Sequence, residues 1–164
     1  MKRTILIPTD FSVESLNLVN YTLANAGDDK LYFVLTHCRF LSDCPIDLLY
    51  FSKTELLQSL KNPEFKKACK ALRQSYSADK VLIKTELFTG LNQAAFKTFI
   101  DGNQINEAVI PKRYNPRLNR QKSFNPIPFI RRSHLKITEV SLGAKQNAQG
   151  NQDLILLPNG FLRA

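Results

Sequence analysis

The amino-acid sequence predicts an α/β fold, an open parallel sheet of five strands covered by helices on both faces. Three observations carry this prediction. Ile5, Leu6 and Ile7 form an unbroken apolar run with β-branched residues on either side of a leucine, the pattern of a strand buried on both faces. A second apolar run, LYFVLTHC at residues 31–38, follows a helical stretch. Strand, helix and strand thus fit into about 35 residues, a unit whose crossover is right-handed and whose strands are parallel. Beyond it, stretches with apolar residues at helical spacing alternate with further strand-like runs.

Pro8 has no amide hydrogen and closes the first strand. Thr9 and Asp10 follow as a turn. Ser12 is read as a helix N-cap, Glu14 sits where the helix dipole favours an anion, and Leu16, Val19 and Leu23 recur at helical spacing. Gly27, Asp28 and Asp29 end that helix. In the long interval 39–80, Pro45 opens a helical piece through Leu60, and Asn62 with Pro63 starts another that ends near Ser77. Phe65, Cys69, Leu72 and Tyr76 form its inner face, while Lys66, Lys67, Lys70 and Arg73 are a solvated face. The third strand, VLIKTELF at 81–88, carries Lys84 and Glu86 and is expected at an exposed edge. After a turn at Gly90, a helix at 91–101 turns Ala94, Ala95, Phe99 and Ile100 inward and stops at Gly102. A fourth strand at 105–110 is stopped by Pro111. Asn125 and Pro126 start a short helix through Ser133, and LKITEVSL at 135–142 alternates as a fifth strand. The domain is therefore placed at 1–142. The extension 143–164 opens as a polar stretch and then carries the apolar run Leu154, Ile155, Leu156 and Leu157, read as an extra strand or a dimer arm.

At 164 residues, 43% hydrophobic and 23% charged, the chain suits one soluble domain with a sizeable core. No apolar run approaches the roughly 20 residues that span a bilayer, and the N-terminus lacks the apolar segment of a signal peptide, so the expected compartment is the cytoplasm and no membrane is expected as a partner. Cys38, Cys44 and Cys69 are an odd count without metal-ligand spacing and are read as reduced thiols. Charge is concentrated. Lys112, Arg113, Arg117, Arg120, Lys122, Arg131, Arg132 and Lys136 lie in one segment without Asp or Glu, and removing those eight from the formal +9 leaves +1.

Ligands of open α/β sheets bind at the carboxyl ends of the strands, which marks Thr9, Asp10 and Ser12 as a candidate site; Asp10 capping its own turn is the alternative. The stretch IPTDFS followed by an amphipathic helix, and LTHC at 35–38 closing the next strand, resemble universal stress proteins over residues 3–141. The resemblance implies a Rossmann-like sheet of the adenine nucleotide alpha hydrolase type with strand order 3-2-1-4-5. It also implies a nucleotide site in which Asp10 meets the adenine-ribose end, Pro8 and Thr9 shape that wall, and the backbone at Cys38 contacts the base. In ATP-binding members a glycine pair follows the fourth strand, and Gly-Ser or Gly-Thr opens the next helix, because glycine lets backbone amides approach phosphates. Here residues 111–142 contain no glycine. Lys112, Asn115 and Lys122 fall where the three glycines are expected, and Ser123 alone matches the final hydroxyl residue.

Two outcomes follow. Either the loop fills the cleft and tight ATP binding is lost, or Lys112, Arg113, Arg117 and Arg120 grip an anion by charge, a task for which arginine's planar fork is suited. The first is the favoured expectation: a non-catalytic, universal-stress-like module acting in stress response through protein contacts or weak ligand sensing. On it no cofactor is required, with ATP or AMP left as optional ligands, and a homodimer through the last strand is implied by the family. The alternative is a nucleotide binder using the basic loop 112–122. A second alternative is nucleic-acid binding through 112–136; against it stand the absence of any recognised module and the few aromatic residues suited to stacking, Tyr114, Phe124 and Phe129. ATP hydrolysis finds no general base or metal-binding acid. His37 and His134 are the sole histidines, and His37 is read as buried or capping rather than catalytic.

Overall fold

The computed structural model describes residues 1–117 and 121–142. The strands are β1 (Lys2–Pro8), β2 (Lys30–Cys38), β3 (Val81–Phe88), β4 (Glu107–Pro111) and β5 (Lys136–Val140). They pair in parallel in the order β3-β2-β1-β4-β5, as expected. β1 is central, and Ile5, Leu6 and Ile7 are completely buried because helices cover both faces.

Successive residues of a strand face opposite sides, and the two cores divide accordingly. Ile5 and Ile7 of β1 join Leu31, Phe33 and Leu35 of β2 on one face, under α1 (Asn17–Ala24), α3 (Lys53–Leu60) and α4 (Pro63–Ser75). Leu6, Val34, Phe88, Ala108 and Ile110 face the other side, under α5 (Gln93–Gly102) and α6 (Ile127–Arg131). Five phenylalanines, Phe88, Phe96, Phe99, Phe124 and Phe129, interlock in this second core with ring centroids 5.1 to 6.2 Å apart.

Several expected details are corrected. The helical piece opened by Pro45 breaks into α2 (Pro45–Leu49) and α3, which starts afresh at Ser52, whose hydroxyl accepts from the Glu55 amide. Helix α4 ends at Ser75 rather than Ser77, so Tyr76 leaves the inner face and stands partly exposed as the C-cap. In α5 the buried residues are Phe96 and Ile100, while Ala94 points to solvent. Ser12 precedes a 3-10 turn (Val13–Leu16) and makes no side-chain cap. The edge position of β3 holds, with Leu82 exposed beside Lys84 and Glu86. Arg120 and the whole extension 143–164, with its proposed strand or arm, lie outside the described residues.

At the amino end of the sheet, Arg3 forks onto both oxygens of Glu107 at 2.7 Å, tying β1 to β4. Those two strands stay in register only over Ile5–Glu107 and Leu6–Ala108 and then part. Their divergence at the carboxyl ends is the switch point where an open α/β sheet offers a crevice.

Phe65 anchors α4 in the first core, 1% exposed and edge-on to Phe11. Phe65→Ala is expected to cost about 3–5 kcal/mol, against less than about 1 kcal/mol for Leu82→Ala on the exposed edge strand. Urea unfolding of the two variants measures the difference.

Candidate functional site

At the carboxyl end of β1 the chain turns sharply. The Thr9 amide donates to the Thr36 carbonyl at 3.0 Å, extending the β1–β2 ladder by one bond. The Thr9 hydroxyl accepts from the Phe11 amide at 3.0 Å and bonds the Ser15 hydroxyl at 2.9 Å. Phe11 adopts φ 59°, a left-handed conformation costly for a bulky residue. It is held there because its ring is buried between His37, at 5.0 Å, and Phe65, at 5.5 Å.

Asp10 caps this turn. Its Oδ1 accepts from the Ser12 amide and from the Ser12 hydroxyl, and its Oδ2 accepts from the Arg117 amide at 2.9 Å. Burial alone pushes the carboxyl pKa up. The hydrogen bonds from the Ser12 hydroxyl, the Arg117 amide and the Ser12 amide outweigh it and hold Asp10 below the ordinary aspartate value. Ser12 therefore serves the turn rather than the helix.

The segment after β4 closes over the crevice. The Lys112 amide donates to the Val140 carbonyl at 2.8 Å, continuing the β4–β5 ladder. Further on, Ser123 forms an antiparallel bridge with Arg39. The Phe40 amide donates to the Lys122 carbonyl at 2.8 Å, and the Phe124 amide donates to the Cys38 carbonyl at 3.2 Å. Residues 122–124 thus add a short antiparallel rung beyond β2. The rings of Phe40 and Phe124 meet at 4.8 Å on top of it.

His37 fastens the rung. Its Nδ1 lies 3.0 Å from the Thr9 carbonyl and its Nε2 3.1 Å from the Ser123 hydroxyl. A carbonyl only accepts, so Nδ1 carries the proton and Nε2 accepts from Ser123. Both residues are buried, at 4% and 6% exposure. Burial lowers the His37 pKa, the bond to Thr9 opposes that, and Arg39 lowers it further. The imidazole is thus buried and bridges two segments, the buried role expected of it.

Every candidate position in the described chain can now be placed. Pro8, Thr9, Asp10, Cys38, Lys112 and Ser123 lie at the carboxyl ends of β1, β2 and β4, but other residues of the chain already engage polar groups among them. The Cys38 carbonyl is taken by Phe124, the Asp10 oxygens by Ser12 and Arg117, and the Ser123 hydroxyl by His37. The Cys38 thiol itself is buried, and burial raises its pKa far above that of a reactive cysteine. Lys112, Arg113 and Arg117 are exposed. Asp10 capping its own turn, the alternative reading of that residue, is the arrangement found.

Two residues that sequence reasoning did not assign to the cleft help to close it. Tyr114 packs against the second core. It lies near enough to Asp10 that, after burial, the aspartate charge also pushes the phenol pKa up. Phe124 packs there too, as does Phe129, so the three aromatic residues considered for base stacking are engaged in the protein's own interior. The pattern KRYNP gave no signal of this, because an inward aromatic in an irregular segment has no periodicity. Among the described residues, no group of His, Cys, Asp and Glu is placed to hold a metal ion. No described helix is long and apolar enough to cross a membrane.

No protein-family model matches the sequence, and no curated protein matches it. Solved structures do. The universal stress protein UspA from Lactobacillus plantarum superposes with a TM-score of 0.52 at 15% identity, over 84% of this chain and 97% of that one. A universal stress protein in complex with cAMP matches with a TM-score of 0.47 at 18% identity, over 86% and 98% of the two chains. A protein of the universal stress protein family from Burkholderia pseudomallei matches at 0.46 and 10%, over 84% and 94%. The structural neighbours are universal stress proteins, and the first of them establishes a shared fold.

Protonating His37 would remove the acceptor that Ser123 uses. Because its pKa is lowered on folding, its contribution is complete above the unfolded value of about 6.5 and is lost as pH falls through the folded value. Stability to urea is expected to decline below about pH 6.5, and His37→Gln is expected to flatten that decline while costing about 1–3 kcal/mol at pH 7.5.

Proposed function

We propose that this chain is a non-catalytic module of the universal-stress type, filled at its strand-end cleft by its own loop. On this reading it works in a stress response through protein contacts, without holding ATP tightly. The observation that carries the reading is that the acceptors of the cleft are already engaged within the chain. The carbonyl at Cys38 and the carboxylate of Asp10, which the family resemblance assigns to base and ribose, already accept hydrogen bonds from Phe124, Ser12 and Arg117. A nucleotide entering there would have to displace the 122–124 rung, break the His37–Ser123 bond and expose Phe124. The side chains that stand where glycines would cradle phosphates add bulk to that path. The Ser123 hydroxyl does donate to the His37 imidazole, but both side chains are buried, at 6% and 4% exposure, away from any substrate that stays in solvent, and that burial supports the non-catalytic part of the reading.

The nucleotide-binding alternative draws on one observation. Lys112, Arg113 and Arg117 are exposed, and none of them has an ion-pair partner among the described residues. Their charge attracts anions wherever the cleft stands. A homodimer through β5 belongs to the same family of proposals; β5 is an edge strand, pairing with β4 alone among the described residues, and light scattering reports its mass directly.

Calorimetric titration with magnesium-ATP and with AMP at moderate salt separates the two readings. The expected result is no saturable heat and no thermal shift at submillimolar nucleotide. Micromolar ATP binding that weakens in both Asp10→Ala and Arg113→Ala would establish the nucleotide reading instead. Binding that is weak, equal for ATP and inorganic triphosphate, and abolished by salt would assign the charge to non-specific attraction.

A further inference from the structure

An unaccounted apolar surface lies just past β2. Residues 41–50 are all exposed, and α2 buries none of its five residues. Ile46 is 67% exposed, Leu49 77% and Tyr50 79%. An isolated helix this short is marginal in water, and helices in proteins are held mainly by packing an apolar face. Here that face is bare. Beside it runs a groove of about 380 Å³ lined by Phe40, Leu41, Leu48, Tyr50, Phe51 and Leu56, with Arg39, Asp47 and Glu55 around its sides. Contiguous apolar exposure of this kind marks a surface that something covers.

The chain itself carries a fitting occupant. Beyond Leu142 the sequence continues for 22 residues, of which 154–157 are Leu, Ile, Leu, Leu and 161–162 are Phe and Leu. A run as apolar as this also needs cover. Its flanks carry Asp153 before and Arg163 after, charges opposite to Arg39 and to Asp47 and Glu55 of the groove. The geometry allows the meeting. All five strands are parallel, so the end of β5 and the groove beyond β2 lie at the same, carboxyl end of the sheet. They are three strands apart, about 14 Å at the usual spacing. The residues 143–152 between Leu142 and the apolar stretch can reach roughly 33 Å when extended. Closing so short a loop carries little entropic cost.

We propose that the C-terminal segment 153–163 of this chain docks in cis into the groove between α2 and α3, covering Ile46, Leu48, Leu49 and Tyr50. The segment acts as an arm that shields an interaction surface. The proposal does not depend on whether the strand-end cleft binds nucleotide.

Cys44 offers a native reporter. It is exposed at the start of α2, while Cys38 and Cys69 are buried. In the full-length chain carrying Asn159→Cys, a short bismaleimide is expected to link the added thiol to Cys44 within one chain, read by peptide mass spectrometry on the monomer band. Adding Ile155→Asp and Leu156→Asp should slow the linkage at least tenfold, and hydrogen exchange should report protection of both 154–157 and 46–50 that the same pair of substitutions removes. Linkage at an equal rate in the Asp-substituted chain would mean random encounter and would overturn the proposal. Linkage only between two chains would overturn it as well, assigning the groove to a second copy, as would unprotected amides at 154–157 in the unsubstituted protein.

Discussion

The bond from the Ser123 hydroxyl to the His37 imidazole, with the same ring donating to the Thr9 carbonyl, joins three segments that the sequence keeps far apart. The end of β1, the end of β2 and the loop after β4 all meet at that ring. Phe11 packs on one face of it and in turn touches Phe65 of α4, so the first core is coupled to the polar cluster above it. The His37–Ser123 contact is buried, and a buried polar group must keep its partner or bear the full cost of desolvation. The arrangement is self-consistent for that reason: the Asp10 carboxylate, the Cys38 carbonyl and the Ser123 hydroxyl each have a partner within the chain.

Such closure competes with a ligand on unequal terms. The rung formed by residues 122–124 is already tethered, so the Phe124 amide meets the Cys38 carbonyl, and the Lys122 carbonyl the Phe40 amide, without the loss of translational freedom that a free molecule suffers. A glycine-rich loop would leave backbone amides facing outward, waiting for an anion. Here the amides of Lys112, Arg117 and Phe124 are instead spent on Val140, Asp10 and Cys38. The divergence of β1 from β4 after Leu6 still creates the crevice that the fold prescribes, but it is Tyr114 and Phe124 that lie against it.

The architecture was legible because its signals are local. Ile5–Leu6–Ile7 announces a strand buried on both faces, Asn62 before Pro63 announces a helix start, and in α4 the inner positions Phe65, Cys69 and Leu72 follow the helical period. Where periodicity is ambiguous the reading slipped. In α5 the run AAFKTFI places an apolar residue on almost every side, so the phase that buries Phe96 rather than Ala94 is set by the phenylalanines of the opposite elements. The break between α2 and α3 was hidden because the residues around it, Leu48 to Phe51, are apolar without being buried. The site was legible by position and not by state. Sequence located Thr9, Asp10, Cys38 and Ser123 at one end of the sheet. Whether their polar atoms face a ligand or one another depends on pairings between residues 80 or more apart, as with His37 and Ser123, and no spacing rule encodes those.

The basic loop separates two roles that are often fused in one residue. Its backbone does the holding: Lys112 and Arg117 through their amides, Lys122 through its carbonyl. The basic side chains of Lys112, Arg113, Arg117 and Lys122 stand exposed. Clustered cations without acidic neighbours repel one another and weaken a compact state slightly. The closure of the cleft would therefore hold as well, or better, with neutral side chains at these positions. The fold does not account for the charge. The bare face of α2 lies just beyond the same rung, where Phe40 bonds to Lys122. An apolar surface and a cationic surface thus both lie at the carboxyl end of the sheet, the end at which open α/β folds offer a crevice.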